Sequence, residues 1–235
     1  MNAQLALRPI TGLLAVLLLG AVLAVPASVQ AEEPTLDEIE MALEPPILVT
    51  SAVLSPEDSE WLSRAEKYFA AIDSIRASFF QSSPEGGTAD GVFYLRRPGR
   101  LRIEYLPPTP ILIVGDGLFL HFHDTELGQV SDWPIFDTPL GALSSDDVSF
   151  KDDLIVTHFR RRSGAMAITL VKREDPGLGS FTLYFSEAPM ELKQWTVIDA
   201  QGLETNVALF NVETNIDLAN SLFVFADPRE KLSKR

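Results

Sequence analysis

The 235-residue chain carries 33 Asp and Glu against 19 Lys and Arg, a formal charge of −14, and no cysteine. Such an acidic balance argues against nucleic acid and anionic lipid head groups as targets, and favours solubility and attraction to basic patches on proteins. Without cysteine there is no disulfide framework, and no lipid anchor of the kind that bacterial lipoproteins carry on a cysteine at the cleavage site.

Residues 1–31 read as a secretory signal. Arg8 is their only charge, 10–25 is an apolar run, and Val29-Gln30-Ala31 supplies a small-residue cleavage site. The run slightly exceeds the usual signal core and is short for a membrane span, so an exported, soluble protein beginning at Glu32 is expected, with an uncleaved anchor as the alternative. Residues 32–54 contain Pro34, Pro45 and Pro46 and six carboxylates with no basic residue, which predicts a flexible leader with one brief helix over 36–43.

The domain is expected over 55–235. Ser55-Pro56-Glu57-Asp58 is a helix start, with Ser as the cap, Pro in the first turn and acids behind it. Trp61, Ala65, Tyr68, Ile72 and Ile75 then recur at helical spacing and predict one apolar face. From Ser74 the period changes to two, giving strands at 75–82, 90–97, 100–106, 111–115, 118–124, 127–131, 153–160, 165–172, 179–186, 190–199, 203–213 and 221–226. Asp116-Gly117 is a hairpin signal, and Ser163-Gly164 and Gln201-Gly202 punctuate later ones. Sequential antiparallel strands in this number predict one large curved sheet or barrel.

Arg97-Pro98-Gly99 joins two alternating strands, so Phe93, Leu95 and Arg97 share a face near Leu101, Ile103 and Tyr105. A guanidinium at the rim of an apolar wall must find acceptors, because it cannot deprotonate. Alternation alone does not separate a packed core from a wall facing a cavity for Phe93, Leu95, Ile103, Tyr105, Leu112, Val114, Leu120 and Phe122. The apolar stretch 132–143 breaks the strand rhythm. Thr138-Pro139 starts a helix there, and a short helix crossing the mouth of the sheet fits both observations.

His121 and His123 stand two apart on one strand, and His158 is the third histidine; without cysteine they make a poor metal site and read as structural or surface residues. The chain has no Gly-x-Ser-x-Gly elbow, P-loop or dinucleotide fingerprint, so no enzyme, metal or cofactor is expected. The apolar tip at 106–111 reads as a rigid proline turn or, less simply, as a membrane-inserting loop.

Ala77-Ser78-Phe79-Phe80-Gln81, Arg96-Arg97-Pro98-Gly99-Arg100, Asp116-Gly117, the 133–143 stretch, 195–202 and 222–228 resemble, in this order, the periplasmic lipoprotein carrier family LolA over residues 60–228. The resemblance implies an α+β, mainly β fold: an incomplete antiparallel barrel closed by short helices over an apolar cavity for acyl chains. It implies Arg97 as the latch that bonds lid carbonyls in the empty form. Phe79, Phe93, Leu95, Leu101, Ile103, Tyr105, Leu112, Val114, Leu120 and Phe122 are then cavity candidates. Trp133, Pro134, Ile135, Phe136, Pro139, Leu140 and Leu143 are lid candidates, helped by the helix bearing Tyr68 and Ile72. Implied partners are acylated lipoproteins, an inner-membrane releasing transporter and an outer-membrane acceptor, met in the periplasm by a monomer. Leu101, where other members can carry an aromatic residue, the two histidines at 121 and 123, and the acidic leader depart from the family. An envelope-stress sensor, or another lipid-binding periplasmic protein of the same fold, is the alternative.

Overall fold

A computed structural model describes residues 49–229, apart from 85, 136, 137 and 147. The expected signal and leader residues 1–48 lie outside it.

Helix α1 (Pro56–Ala70) begins with a reciprocal cap. The Asp58 backbone N–H donates to Ser55 Oγ at 3.1 Å, and the Asp58 carboxylate accepts the Ser55 N–H at 3.3 Å. Its inward stripe is Leu62, Ala65 and Phe69, all buried. The residues just before it are not flexible leader. Ala52 donates its N–H to Val156 O at 2.8 Å, and Ala52 and Leu54 pack against the core. Apolar Ala52 and Leu54 break the acidic run and have a surface to cover, so the packed unit starts before Ser55.

Eleven strands form one antiparallel sheet. They are β1 (Ser74–Ser82), β2 (Thr88–Arg96), β3 (Arg100–Tyr105), β4 (Ile111–Asp116), β5 (Phe119–Asp124), β6 (Gln129–Pro134), β7 (Leu154–Arg162), β8 (Ala165–Lys172), β9 (Gly179–Glu187), β10 (Met190–Asp199) and β11 (Glu204–Thr214). Their spatial order, β6-β5-β4-β3-β2-β1-β11-β10-β9-β8-β7, places the first and last strands together at the centre. β6 and β7, consecutive in the chain, end at opposite edges. Their connection must therefore cross the open side of the sheet, and it carries the short helix α2 (Pro139–Ser144). The edges do not pair with each other, so the sheet is a barrel left open.

The twelfth expected strand, 221–226, is absent from the sheet. After β11 the chain turns at Asn215, whose φ is +56°. A 3-10 turn at Asn220–Phe223 then lies against β3 and β4. Side chains rather than a neighbouring strand hold one carbonyl of this turn and one just before it. Arg96 Nη1 donates to Leu218 O at 2.9 Å and Arg102 Nη1 to Leu222 O at 3.4 Å. Backbone groups satisfied in this way have no need of a ladder.

Candidate functional site

Side chains directly opposite in an antiparallel ladder point to the same face, so the register sorts the sheet into two surfaces. On the inner face Ala77 stands opposite Phe93, Phe93 opposite Ile103, and Ile103 opposite Ile113. Across the centre, Phe79 meets Leu209, Val207 meets Trp195, and Trp195 meets Leu183. These residues, with Leu62, Phe69 and Ile72 under α1, belong to one continuous buried apolar cluster. Edge-to-face aromatic pairs stiffen it, Phe93 with Trp195 at 5.5 Å and Phe79 with Tyr105 at 5.2 Å.

Of the cavity candidates, Phe79, Phe93, Leu95, Leu101, Ile103, Tyr105, Leu120 and Phe122 are buried on this inner face. Leu112 and Val114 are not on it. Leu112 stands opposite Glu104 and His123, and Val114 opposite Arg102 and His121, which puts both on the outer face. Ile111 and Ile113 take the inner positions. The run Ile111-Leu112-Ile113-Val114 has no polar residue to reveal its phase; the C-terminal turn lying on β4 leaves the outer side of this strand apolar as well. Ile168, Leu170, Phe181, Leu183 and Phe185 line the other half of the inner face and were missed as candidates. The alternation Phe181-x-Leu183-x-Phe185 was the signal that could have found them.

One polar pair interrupts the apolar surface. Tyr105 Oη donates to Gln81 Oε1 at 2.7 Å, with both residues buried. Burial pushes the Tyr105 phenol well above its ordinary value, so it stays protonated.

The connection across the mouth is rooted at one end by Ile135. Its N–H donates to Leu118 O at 3.0 Å, and its fully buried side chain seats over Gly115. A Cβ at 115 would lie 2.7 Å from Ile135 Cδ1 and 3.0 Å from Leu101 Cγ, so only glycine leaves the seat open. Ile135 O accepts both the N–H and the hydroxyl of Thr138, at 3.0 and 2.7 Å. Thr138 Oγ1 in turn caps α2 by accepting the Gly141 N–H at 3.0 Å.

The other end is held from the β2–β3 turn. Arg97 Nη2 donates to Leu143 O and the Gly99 N–H to Ser144 O, both at 2.9 Å. Glu66 on α1 accepts the Phe150 N–H at 3.1 Å. The Arg97 guanidinium lies 5.6 Å from the Phe69 ring centroid, and its buried Nε has no hydrogen-bond partner. Burial lowers the Arg97 pKa while the charges of Asp146 and Asp73 oppose that shift; an arginine remains a cation under either influence.

The connection across the mouth is thus shorter than the expected lid of 133–143. Trp133 and Pro134 are the last residues of β6, Trp133 opposite Leu120 and Pro134 opposite Phe119 on the exposed outer face. Of the lid candidates, Ile135 and Leu143 are buried. Pro139 and Leu140 form the first turn of α2. Their side chains, and all of Phe136, lie outside the described residues. The two neighbouring histidines are on the outer face, His121 bonded to Asp132 and stacked on Phe225.

The family model described as "Outer membrane lipoprotein carrier protein LolA" matches residues 70–226. An outer-membrane lipoprotein carrier protein of Methylobacillus flagellatus is 28% identical over 170 residues, covering 68% of this chain and 82% of that protein. One from Neisseria meningitidis serogroup C is 29% identical over 168 residues, covering 67% and 78%. The crystal structure of a LolA superfamily protein from Nitrosomonas europaea aligns with a TM-score of 0.41 at 10% identity, over 74% of this chain and 99% of that one. From the last turn of α1 to the segment lying on the outer face, the matched residues take in every strand of the sheet and the helix across its mouth: the chain belongs to the outer membrane lipoprotein carrier protein LolA family.

Proposed function

We propose that this protein is a periplasmic, monomeric, non-enzymatic carrier. It is exported by residues 1–31, accepts acylated lipoproteins from an inner-membrane releasing transporter, and passes them to an outer-membrane acceptor. The inner apolar face takes the acyl chains, and no cofactor is required. The observation that carries this reading is Arg97, which donates to the lid carbonyl of Leu143 from the rim of that face.

An acyl chain gains about 0.8 kcal/mol for each CH₂ it buries. A permanently open apolar trough of this size would hold cargo too tightly to surrender it. A latch that bonds the lid only in the closed state opposes loading, because binding must first break it. A hydrogen bond from a charged group contributes roughly 1.5–3 kcal/mol. Its loss therefore lowers the net affinity by about one to two powers of ten and favours release.

The test is native mass spectrometry of the mature protein after incubation with inner-membrane vesicles that are releasing lipoproteins. A soluble one-to-one complex that forms only when the acyl anchor is present supports the carrier. Absence of that complex, with capture of the periplasmic domain of a stress regulator in its place, overturns it in favour of a sensor.

A further inference from the structure

On the outer face of the sheet, away from the lid, one imidazole is held between two carboxylates. His121 Nδ1 lies 2.7 Å from Asp132 Oδ1 on β6, and Nε2 lies 3.3 Å from Asp116 Oδ2 at the end of β4. A carboxylate can only accept. A neutral imidazole has a single N–H, so it bonds one of the two and turns a bare nitrogen lone pair toward the other; only the imidazolium donates to both. The ring also lies flat on Phe225, 4.6 Å between centroids and 9° between planes, an arrangement in which a cation is attracted by the aromatic face.

Phe225 belongs to the segment that crosses the outer face after the Asn220–Phe223 turn, and that segment is gripped a second time here. Arg229 Nη2 donates to Asp132 Oδ2 at 2.8 Å and to Asp227 Oδ2 at 2.6 Å. Asp132 and Asp227 thus share the cation Arg229, and a proton on His121 would place a second positive charge between Asp132 and Asp116. Other charged or titratable groups on this face among the described residues include Arg100, which stands opposite Asp116, Arg102 and Glu104 on β3, Tyr94 and Arg96 on β2, and His123, whose ring meets Phe225 edge-on at 5.9 Å. Arg102 is bonded to Glu104 at 3.0 Å.

We propose that His121 is a proton-operated clasp: charged, it fastens the C-terminal segment 224–229 to strands β5 and β6, and neutral, it lets that segment loosen. Histidine is the side chain whose ordinary charge change falls between about pH 5 and 8, and that is the interval to scan. The acidic partners support the clasp. Burial pushes the Asp132 carboxyl up, but bonds from His121 and Arg229 outweigh burial and hold it below its ordinary value; Asp116 behaves likewise through the Phe119 and Leu118 N–H groups and His121. Both acids therefore keep their negative charge down to below the ordinary carboxylate range. The consequence reaches the mouth of the sheet, because Asp132 lies on the strand that runs straight into Ile135, the root of the lid. The proposal rests on outer-face geometry alone and does not depend on the carrier reading.

Hydrogen exchange of the mature protein between pH 5.5 and 8, corrected for intrinsic exchange rates, tests it alongside an NMR titration of the His121 ring. Expected is a two- to fivefold loss of protection in 224–229 as His121 loses its proton, roughly the size of a partly exposed ion pair. His121→Phe keeps the stack and cannot take a proton; its profile should be flat, while His123→Phe retains the wild-type profile. Asp132→Asn is the second variant, should His121→Phe fold poorly, and must flatten the profile too. A flat wild-type profile, or an unchanged pH dependence in both His121→Phe and Asp132→Asn, overturns the clasp.

Discussion

Arg97 and Tyr105 are two polar side chains set against the apolar inner face, and they differ in how completely they are satisfied. The Arg97 side chain donates to Leu143 O through Nη2 and leaves its buried Nε unpaired. Arg97→Leu removes the lid bond together with the unmet donor. The amide of Gly99, which donates to Ser144 O on the same lid end, should then exchange at least tenfold faster, given the roughly 1.5–3 kcal/mol of a charged hydrogen bond. Transfer of bound lipoprotein to an acceptor should slow, and transfer at the wild-type rate would remove Arg97 from the release step. Tyr105 and Gln81 satisfy each other. Tyr105→Phe strands a buried Gln81 oxygen and should lower stability in urea by about 1–3 kcal/mol, while Tyr105→Phe with Gln81→Leu should recover much of that loss. The side of the sheet on which Arg97 falls was readable from Phe93 and Leu95, two residues apart before it. That of Leu112 and Val114 was not, since an unbroken apolar run reads the same in either phase.

Among the elements, the lid is the one whose attachment depends on a single missing side chain. Gly115 leaves the space that Ile135 fills. Gly115→Ala should displace Ile135 and cost about 1–3 kcal/mol, the usual penalty for overpacking. A crystal structure or Ile135 methyl NMR shifts would show the displacement; an unmoved Ile135 and unchanged stability would mean that the lid is rooted elsewhere. Capping signals made both helix starts legible, because Ser55-Pro56-x-Asp58 and Thr138-Pro139 act within one turn of chain. The end of β6 was not legible. Trp133 and Pro134 look like lid from their apolar character, but Trp133 completes the inner face opposite Leu120, and Pro134, at the end of an edge strand, gives up no ladder bond that the sheet needs. The lost twelfth strand has the same origin. Its alternation is genuine, but Asn220–Phe223 coil into a 3-10 turn against β3 and β4, where Arg102 takes the Leu222 carbonyl.

For the molecule as a whole, acid should act through the outer-face cluster. The carboxyl of Asp227 is held below its ordinary value by the bonds from Arg229, against the effect of burial, and Asp116 and Asp132 are depressed as well. Groups depressed in the folded state stabilise it fully above the unfolded carboxylate value of about 3.9, and that stability is lost as pH falls through their lower folded values. The urea midpoint should therefore drop below about pH 4, and Arg229→Gln should make the drop shallower. An identical acid profile in that variant would count against the cluster.

What the sequence determined by itself is local in cause: the helix caps, the turns at Asp116-Gly117 and Arg97-Pro98-Gly99, the period-two strands, and the inward side of every strand that has a polar partner to mark its phase. Each follows from steric and hydrogen-bonding preferences acting over a few residues. Tertiary structure alone decided which strands sit at the edges, which face of β4 looks inward, where the lid is rooted, and that Phe225 and Arg229 close over His121 and Asp132. Those outcomes depend on contacts between residues about a hundred positions apart, and no local preference encodes which distant surface a side chain will meet.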